Sequence, residues 1–199
     1  KRGFEPDYPI LSEGAILRGN KLEKIIVDEY KLETGHKVKN VDRKTFKSKE
    51  FKWAMAHLDG EVVGASQGPG VLECKSVGRN TYKYIEQEGL PLSWILQMQH
   101  GMFVSHYEWA SIAVLWAEQW KFITFNIERD EEIIAEIKSA GDSFWRSVEN
   151  GPAPDRLDSS DKRCGRCPYR TTCQGEYLMS TVQESDDVEF DDSISPLVI

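Results

Sequence analysis

The sequence lacks any apolar run that approaches the roughly 20 residues needed to cross a bilayer, and no signal peptide is visible. These absences predict a protein without a membrane segment, and a cytoplasmic location fits them. The chain has 199 residues, of which 40% are hydrophobic and 29% are charged, so it is long enough to bury one sizeable core.

Cysteine is scarce, and its distribution argues against a disulfide framework. Only four cysteines are present, and three of them, Cys164, Cys167 and Cys173, fall within ten residues. Such a cluster is typical of a metal site in a protein of the reducing cytoplasm. The fourth cysteine, Cys74, lies far away in the chain and is not an obvious further ligand.

Basic residues are absent after Arg170, where seven acids follow: Glu176, Glu184, Asp186, Asp187, Glu189, Asp191 and Asp192. Because these acids account for most of the net charge of −8, the rest of the chain is close to neutral. We expect this acidic tail to be flexible.

The charge balance is reversed between Lys37 and Lys52. Seven bases stand here against Asp42 and Glu50: Lys37, Lys39, Arg43, Lys44, Lys47, Lys49 and Lys52. Such a run can follow a phosphate backbone. Charge alone nevertheless favours the simpler interpretation, a solvated loop and strand edge.

The pattern of apolar residues predicts a mixed α/β fold. Residues 1–19 are expected to be irregular, and because they lack a methionine we also expect that preceding residues are missing. Helices are predicted over residues 20–34, from Pro91 to about His106, and from about Asp130 to Gly151. Two hairpins are predicted, the first from residues 51–63 and 71–77, the second from WASIAVLW and WKFITFNIE. This order of elements predicts a central mixed sheet flanked by helices.

The stretch GVLECKSV places an acid and a base inside an apolar strand. Because side chains alternate along a strand, Glu73 and Lys75 should share one face while Cys74 points to the other. Asp59 lies on the first hairpin strand, where His57 would share its face. Carboxylates and backbone carbonyls are ligands that Mg²⁺ prefers, so Asp59, Glu73 and the Cys74 carbonyl form a candidate metal site.

Three further features belong to this candidate site. Lys75 is placed to orient or deprotonate a water, or to offset charge on a phosphate. Glu23 lies beside the apolar stripe of the first helix, where a carboxylate needs a partner. The helix that begins at Pro91 carries Gln97 and Gln99, of which Gln97 is the stronger candidate.

Four segments in this order resemble the consecutive motifs of the YqaJ-like phage recombinase nucleases: RGNKLEKIIVDEYKLETGHKV, HLDGEVV, LECKSV and ILQMQHGMFVSHYEWASIAVL. Lambda exonuclease belongs to this group, within the PD-(D/E)xK superfamily. The resemblance extends from about Gly19 to Pro152 and includes FNIERDEEIIAEI and FWRSVENG. It implies a restriction-endonuclease-like core.

The resemblance also implies roles for individual residues. Asp59 and Glu73 would be the main ligands of two Mg²⁺ (or Mn²⁺) ions, the carbonyl of Cys74 a further ligand, and Glu23 the helix carboxylate that approaches them. Lys75 would be the catalytic lysine, supported by Gln97. Family members have an upstream arginine and serine that handle the terminal phosphate of DNA, and residues 1–18 show no match for them.

The cysteine motif RCGRCPYRTTCQG has the spacing Cys-x2-Cys-x5-Cys. It is similar to the C-terminal cysteine triplet of iron–sulfur RecB-type nucleases, in which a fourth cysteine lies upstream of the nuclease core. Four thiolates hold a 4Fe-4S cluster, and tetrahedral zinc accepts the same spacing. A missing upstream cysteine, a histidine ligand and the absence of a metal remain open.

Together these features predict a metal-dependent deoxyribonuclease that acts exonucleolytically on linear duplex DNA ends. The alternatives are an endonuclease on the same fold, or a nuclease-fold DNA-binding or assembly module without catalysis. The predicted division is a nuclease core over residues 1–155, a cysteine-rich appendage over 156–180 and the acidic tail over 181–199. The resemblance implies a phage or prophage origin, action in the bacterial host cytoplasm, a single-strand annealing protein as partner, and a homo-oligomer.

Overall fold

We analysed a computed structural model, which describes residues 13–39, 45–152, 155–158, 160–165, 167–170 and 173. The helices are α1 (Glu13–Thr34), α2 (Arg79–Glu88), α3 (Leu92–Ser105), α4 (Glu131–Asn150) and the short α5 (Lys162–Gly165). The strands are β1 (Lys37–Lys39), β2 (Thr45–Lys47), β3 (Met55–His57), β4 (Gly60–Val63), β5 (Gly70–Ser76), β6 (Trp109–Trp116) and β7 (Lys121–Glu128).

Five strands form the central sheet, in the order β1-β4-β5-β6-β7. Only β5 and β6 are parallel, and their connection runs through α2 and α3. The other neighbouring pairs are antiparallel, so the sheet is mixed. The predicted mixed α/β fold with a central sheet flanked by helices is therefore confirmed.

Helices cover both faces of this sheet. On one face, Ile26 and Tyr30 of α1 pack against Leu72 of β5. On the other, Met98 and Met102 of α3 pack in the same core as other residues of β5 and β6. Strand β6 is buried along its whole length, which explains why its sequence is apolar without alternation.

A two-stranded sheet, β2–β3, lies outside the central sheet. Phe46 and Ala56 on its inner side pack against the core that includes α3. The prediction of one strand over residues 51–63 is therefore wrong, because the chain leaves β3 at His57 and enters the central sheet only at Gly60. Alternation indicates a strand, but it does not indicate which partner the strand pairs with.

Two further differences concern helices. Helix α1 begins at Glu13, whereas residues up to 19 were expected to be irregular. Gly19 lies inside this helix with no atoms near its Cβ position, and a helix tolerates such a glycine at a cost of about 1 kcal/mol. Helix α2 was not predicted, because only Tyr82 and Ile85 of its ten residues are buried.

The predicted boundaries of α3 and α4 are confirmed. Pro91 directly precedes α3 as its N-cap residue. The Asp130 side chain caps α4 by accepting hydrogen bonds from the backbone N–H groups of Glu132 and Ile133 at 2.9 and 3.1 Å. Gly151 ends α4.

The described helices include none with the length and apolar character that a bilayer span requires. The predicted acidic tail over residues 181–199 lies outside the described residues. The division into core and appendage stays a prediction.

The close approach of α4 to the segment before β3 generates a stability prediction. A Cβ atom at Gly141 would overlap the Trp53 ring, whereas one at Gly19 would meet open space. We expect Gly141→Ala to lower the free energy of unfolding by about 1–3 kcal/mol, and Gly19→Ala to raise it by up to about 1 kcal/mol. Urea unfolding of both variants checks this, and equal changes would contradict the packing.

Candidate active site

Strand β5 places an ion pair at the edge of a buried region. Glu73 is only 6% exposed, and its Oε1 lies 2.9 Å from Lys75 Nζ. Cys74, between them, packs on the opposite face with the core that includes α1. The alternation predicted for these three residues is therefore observed.

Helix α3 completes this contact. Gln97 Nε2 donates a hydrogen bond to Glu73 Oε1 at 2.7 Å, and Gln97 Oε1 accepts one from Lys75 Nζ at 3.0 Å. Trp94, one helical turn earlier, places its ring 5.4 Å from Lys75 Nζ. The lysine ammonium is thus held by a carboxylate, an amide oxygen and an aromatic face.

Asp59 lies in the link between β3 and β4, where its Oδ2 accepts a hydrogen bond from the backbone N–H of Cys74 at 2.7 Å. The pKa of Asp59 is raised to about 8 in total. Burial is the largest cause, the negative charges of Glu73 and Glu23 add to it, and the Cys74 N–H and Lys75 oppose it. Glu23 is half-buried on α1. The structure therefore brings all five predicted side chains together: Glu23, Asp59, Glu73, Lys75 and Gln97.

The chemistry of these side chains suits a cation, because Glu73 and Glu23 disfavour ionisation of Asp59 in a poorly solvated place. Within the described ranges, however, no three His, Cys, Asp or Glu side chains are arranged to hold a metal ion. Glu73 is instead paired with Lys75, and Asp59 with a backbone N–H. The metal-ligand roles of Glu23, Asp59, Glu73 and the Cys74 carbonyl stay predictions.

The thiol of Cys74 is not suited to serve as a thiolate ligand. Burial raises its pKa, and so do the charges of Asp59 and Glu73. The side chain therefore stays a neutral part of the core, while the backbone of the same residue contacts Asp59.

Three neighbouring residues remain, and for one of them, His57, the expectation from the sequence is wrong. Gln99 is buried away from the site, where it accepts a hydrogen bond from Asp130 N and donates one to Glu128 O, and so joins β7 to α4. His57 shares no strand with Asp59, because β3 ends at His57. Trp94 is a buried core residue that also contacts Lys75, and its position one turn before Gln97 was a usable signal for this second role.

The three clustered cysteines lie in and after the short helix α5. Cys164 is buried in α5, and its Sγ donates to the carbonyl of Asp158 at 3.4 Å. The N–H of Cys167 donates to the carbonyl of Cys164 at 3.3 Å. Cys164, Cys167 and Cys173 are all free thiols, and their binding of a metal or cluster stays a prediction.

Comparison with known proteins identifies the family. The model of the YqaJ-like viral recombinase domain matches residues 5–108, a range that includes every predicted residue of the site on α1, β5 and α3. The chain belongs to this family. It is 33% identical over 162 residues to the protein YqaJ of Bacillus subtilis strain 168, covering 80% of this chain and 49% of that protein. The chain thus spans about half the length of this curated relative.

Solved structures share the fold. An alkaline exonuclease from Laribacter hongkongensis matches with a TM-score of 0.56 and 26% identity over 67% of this chain and 68% of that one. A structure of the same exonuclease, LHK-Exo, in complex with dAMP gives 0.59 and 28%, with 70% of each chain covered. A phage-related exonuclease from Haemophilus somnus 129PT, at 15% identity and a TM-score of 0.50 over 74% and 75% of the two chains, shows the fold alone.

The raised pKa of Asp59 predicts how stability depends on pH. The folded chain keeps the Asp59 proton up to about pH 8, whereas the unfolded chain releases it near pH 4, so stability falls as pH rises through this window. The limiting slope for one group is about 1.4 kcal/mol per pH unit. We expect Asp59→Asn to remove this loss, as measured by urea unfolding in EDTA between pH 5 and 8.

Asp155→Asn serves as the matched control, because the same change is made at an exposed residue. Its stability should follow that of the parent across the pH range. Parallel curves for the parent and Asp59→Asn would contradict the electrostatic description of the site.

Proposed function

We propose that this protein is a metal-dependent deoxyribonuclease that hydrolyses phosphodiester bonds from the ends of linear duplex DNA. The observation that carries the proposal is the closed contact of Glu73, Lys75 and Gln97 beside the buried Asp59. Such a set joins ligands for a hard cation to a fixed positive charge, the combination that phosphodiester hydrolysis needs.

The relatives support this proposal. The chain shares its family with viral recombinases, and its fold and more than a quarter of the aligned residues with LHK-Exo. That exonuclease was solved with dAMP, a nucleoside monophosphate. A product of this kind is what exonucleolytic cleavage of DNA releases.

Asp59 and Glu73 would hold Mg²⁺ or Mn²⁺, with Glu23 and the Cys74 carbonyl as further ligands. When bound, such ions would supply an activated water and stabilise the leaving oxygen. Lys75 donates hydrogen bonds at the site, where its ammonium orients the attacking water and offsets charge on the phosphate. Gln97 and Trp94 hold that ammonium in place, since they contact it from α3.

Two alternatives remain on the same fold. An endonuclease would use the same catalytic side chains as an exonuclease. The two would differ in whether DNA binds at its ends or along the duplex. A DNA-binding or assembly module without catalysis would not need Lys75, Glu73 and Gln97 in mutual contact. The intact contact therefore favours catalysis.

The remaining proposals rest on resemblance. A role in phage or prophage recombination implies a single-strand annealing protein as partner and a homo-oligomer as the working form. The triplet Cys164, Cys167 and Cys173 would hold a 4Fe-4S cluster or zinc.

Digestion of 5′-phosphorylated linear duplex DNA with Mg²⁺ tests the catalytic proposal. We expect the parent to release mononucleotides and Lys75→Ala to be at least about 100-fold slower, because general acid–base and charge-stabilising groups contribute factors of this size. Lys83→Ala, at an exposed lysine of α2, is the matched control and should act like the parent. Release by neither protein, or equal rates for the parent and Lys75→Ala, would refute the proposal. Circular DNA in the same assay separates endonuclease from exonuclease action.

The cysteine triplet can be tested without activity. We expect anaerobically purified protein to show the visible absorption band of an iron–sulfur cluster, and Cys167→Ser to lose it. Cys74→Ser should keep the band, because Cys74 packs in the core with α1. If the protein is colourless but contains zinc, the triplet binds zinc instead of a cluster. If the protein contains neither iron nor zinc, the proposal that the triplet binds a metal is refuted.

A further inference from the structure

We propose that the exposed lysines of β1 and of the β2–β3 hairpin form a phosphate-binding surface that holds DNA beside Asp59. The lysines concerned are Lys37, Lys39, Lys47, Lys49 and Lys52, named here the basic surface. The inference rests on the proposed function for the choice of DNA as ligand, but its observations are independent of the catalytic residues.

Strand register places the first two lysines on the face of the candidate site. Lys39 is opposite Glu61, which is opposite Val71 on β5. Val71 and Glu73 are two residues apart and therefore point to the same face. Lys37 and Lys39 thus project from the sheet edge on the side of Glu73 and Lys75, while Val38 between them packs with the α1 core.

The hairpin places Lys47 on its outer, solvent-exposed face, and Lys49 and Lys52 are exposed in the connection between β2 and β3. Phe46 and Ala56 point inward against the core that includes α3. Lys47 and His57 are exposed on the outer face, because each is one residue from an inward neighbour. His57 is two residues before Asp59, so the outer face ends within about 7 Å of that aspartate's backbone.

The basic surface is not free of acids, because Glu61 is buried on β4 directly opposite Lys39. All five lysines are exposed, and none forms an ion pair with an acid among the residues that the structure describes. Glu50 is the single acid in residues 45–57. This is notable in a chain of net charge −8.

The site itself explains why such a surface is useful. The candidate site gathers acidic side chains, Glu23 and Glu73 beside the protonated Asp59, and their negative charge opposes the approach of a phosphodiester. Cations next to the site offset this repulsion and attract a polyanion, whose bound counterions are released as the lysines replace them. Lysines far from the site would not offset the negative charge of its carboxylates. DNA is the polyanion that the proposed reaction requires.

Binding without divalent metal tests the surface separately from catalysis. The probe is a fluorescein-labelled, 5′-phosphorylated duplex, and the readout is fluorescence anisotropy in EDTA at several salt concentrations. We expect the double variant Lys39→Gln/Lys47→Gln to bind at least about 5-fold more weakly than the parent. The slope of log K against log salt should also fall by about 2, since each phosphate contact contributes about 0.9.

The matched control is Lys83→Gln/Lys121→Gln, which removes the same charge from two exposed lysines. Lys121 lies on β7, the strand at the opposite edge of the sheet from β1. The control should keep the affinity and salt slope of the parent, and thermal unfolding should show that both double variants are folded.

The outcomes separate this inference from the proposed function. The inference is overturned if the parent does not bind the duplex, if Lys39→Gln/Lys47→Gln binds like the parent, or if the control loses as much affinity. A parent that binds with the expected slope but does not digest DNA with Mg²⁺ would support the surface while refuting the nuclease. A parent that digests DNA while the lysine variant keeps full affinity would refute the surface alone.

Discussion

The buried carboxylate of Glu73 is the constraint on which the site depends. Glu73 is 6% exposed, and its strand β5 lies between β4 and β6 in the sheet. The carboxylate can therefore keep its charge only if other groups pair with it. Lys75 and Gln97 provide them, and Gln97 thereby fixes α3 relative to β5. The contacts that stabilise the charge of Glu73 also hold the Lys75 ammonium beside it. The stability of this charge and the proposed chemistry therefore depend on the same side chains.

Asp59 shows the opposite electrostatic condition. Glu73 has a cation at 2.9 Å, whereas Asp59 has a backbone N–H and two nearby negative charges, so its pKa is raised to about 8. Burying Asp59, which is hard to ionise, next to the paired Glu73 does not favour folding. In the proposed nuclease a divalent cation would bind both carboxylates, because their mutual repulsion would become shared attraction for that ion.

The β2–β3 hairpin links the site to its surroundings. It covers α3 with an apolar side, presents lysines on the other, and leads directly into Asp59. Trp53, just before β3, packs on Gly141 of α4, so the position of the hairpin is tied to two helices. The β2–β3 hairpin therefore connects the core, the candidate metal ligand Asp59 and the basic surface. In the proposed nuclease, the same hairpin would position both the bound DNA and Asp59.

The sequence by itself determined the local features. Strand alternation placed Glu73 and Lys75 together and Cys74 apart, capping residues marked α3 and α4, and uninterrupted apolar residues marked β6. The tertiary structure alone decided that residues 51–63 divide between two sheets, that Gln99 joins β7 to α4, and that Trp94 faces Lys75. The physical reason is that periodicity records which side of an element is buried. The partner that buries it is chosen by packing between residues far apart in the chain, which no local pattern encodes.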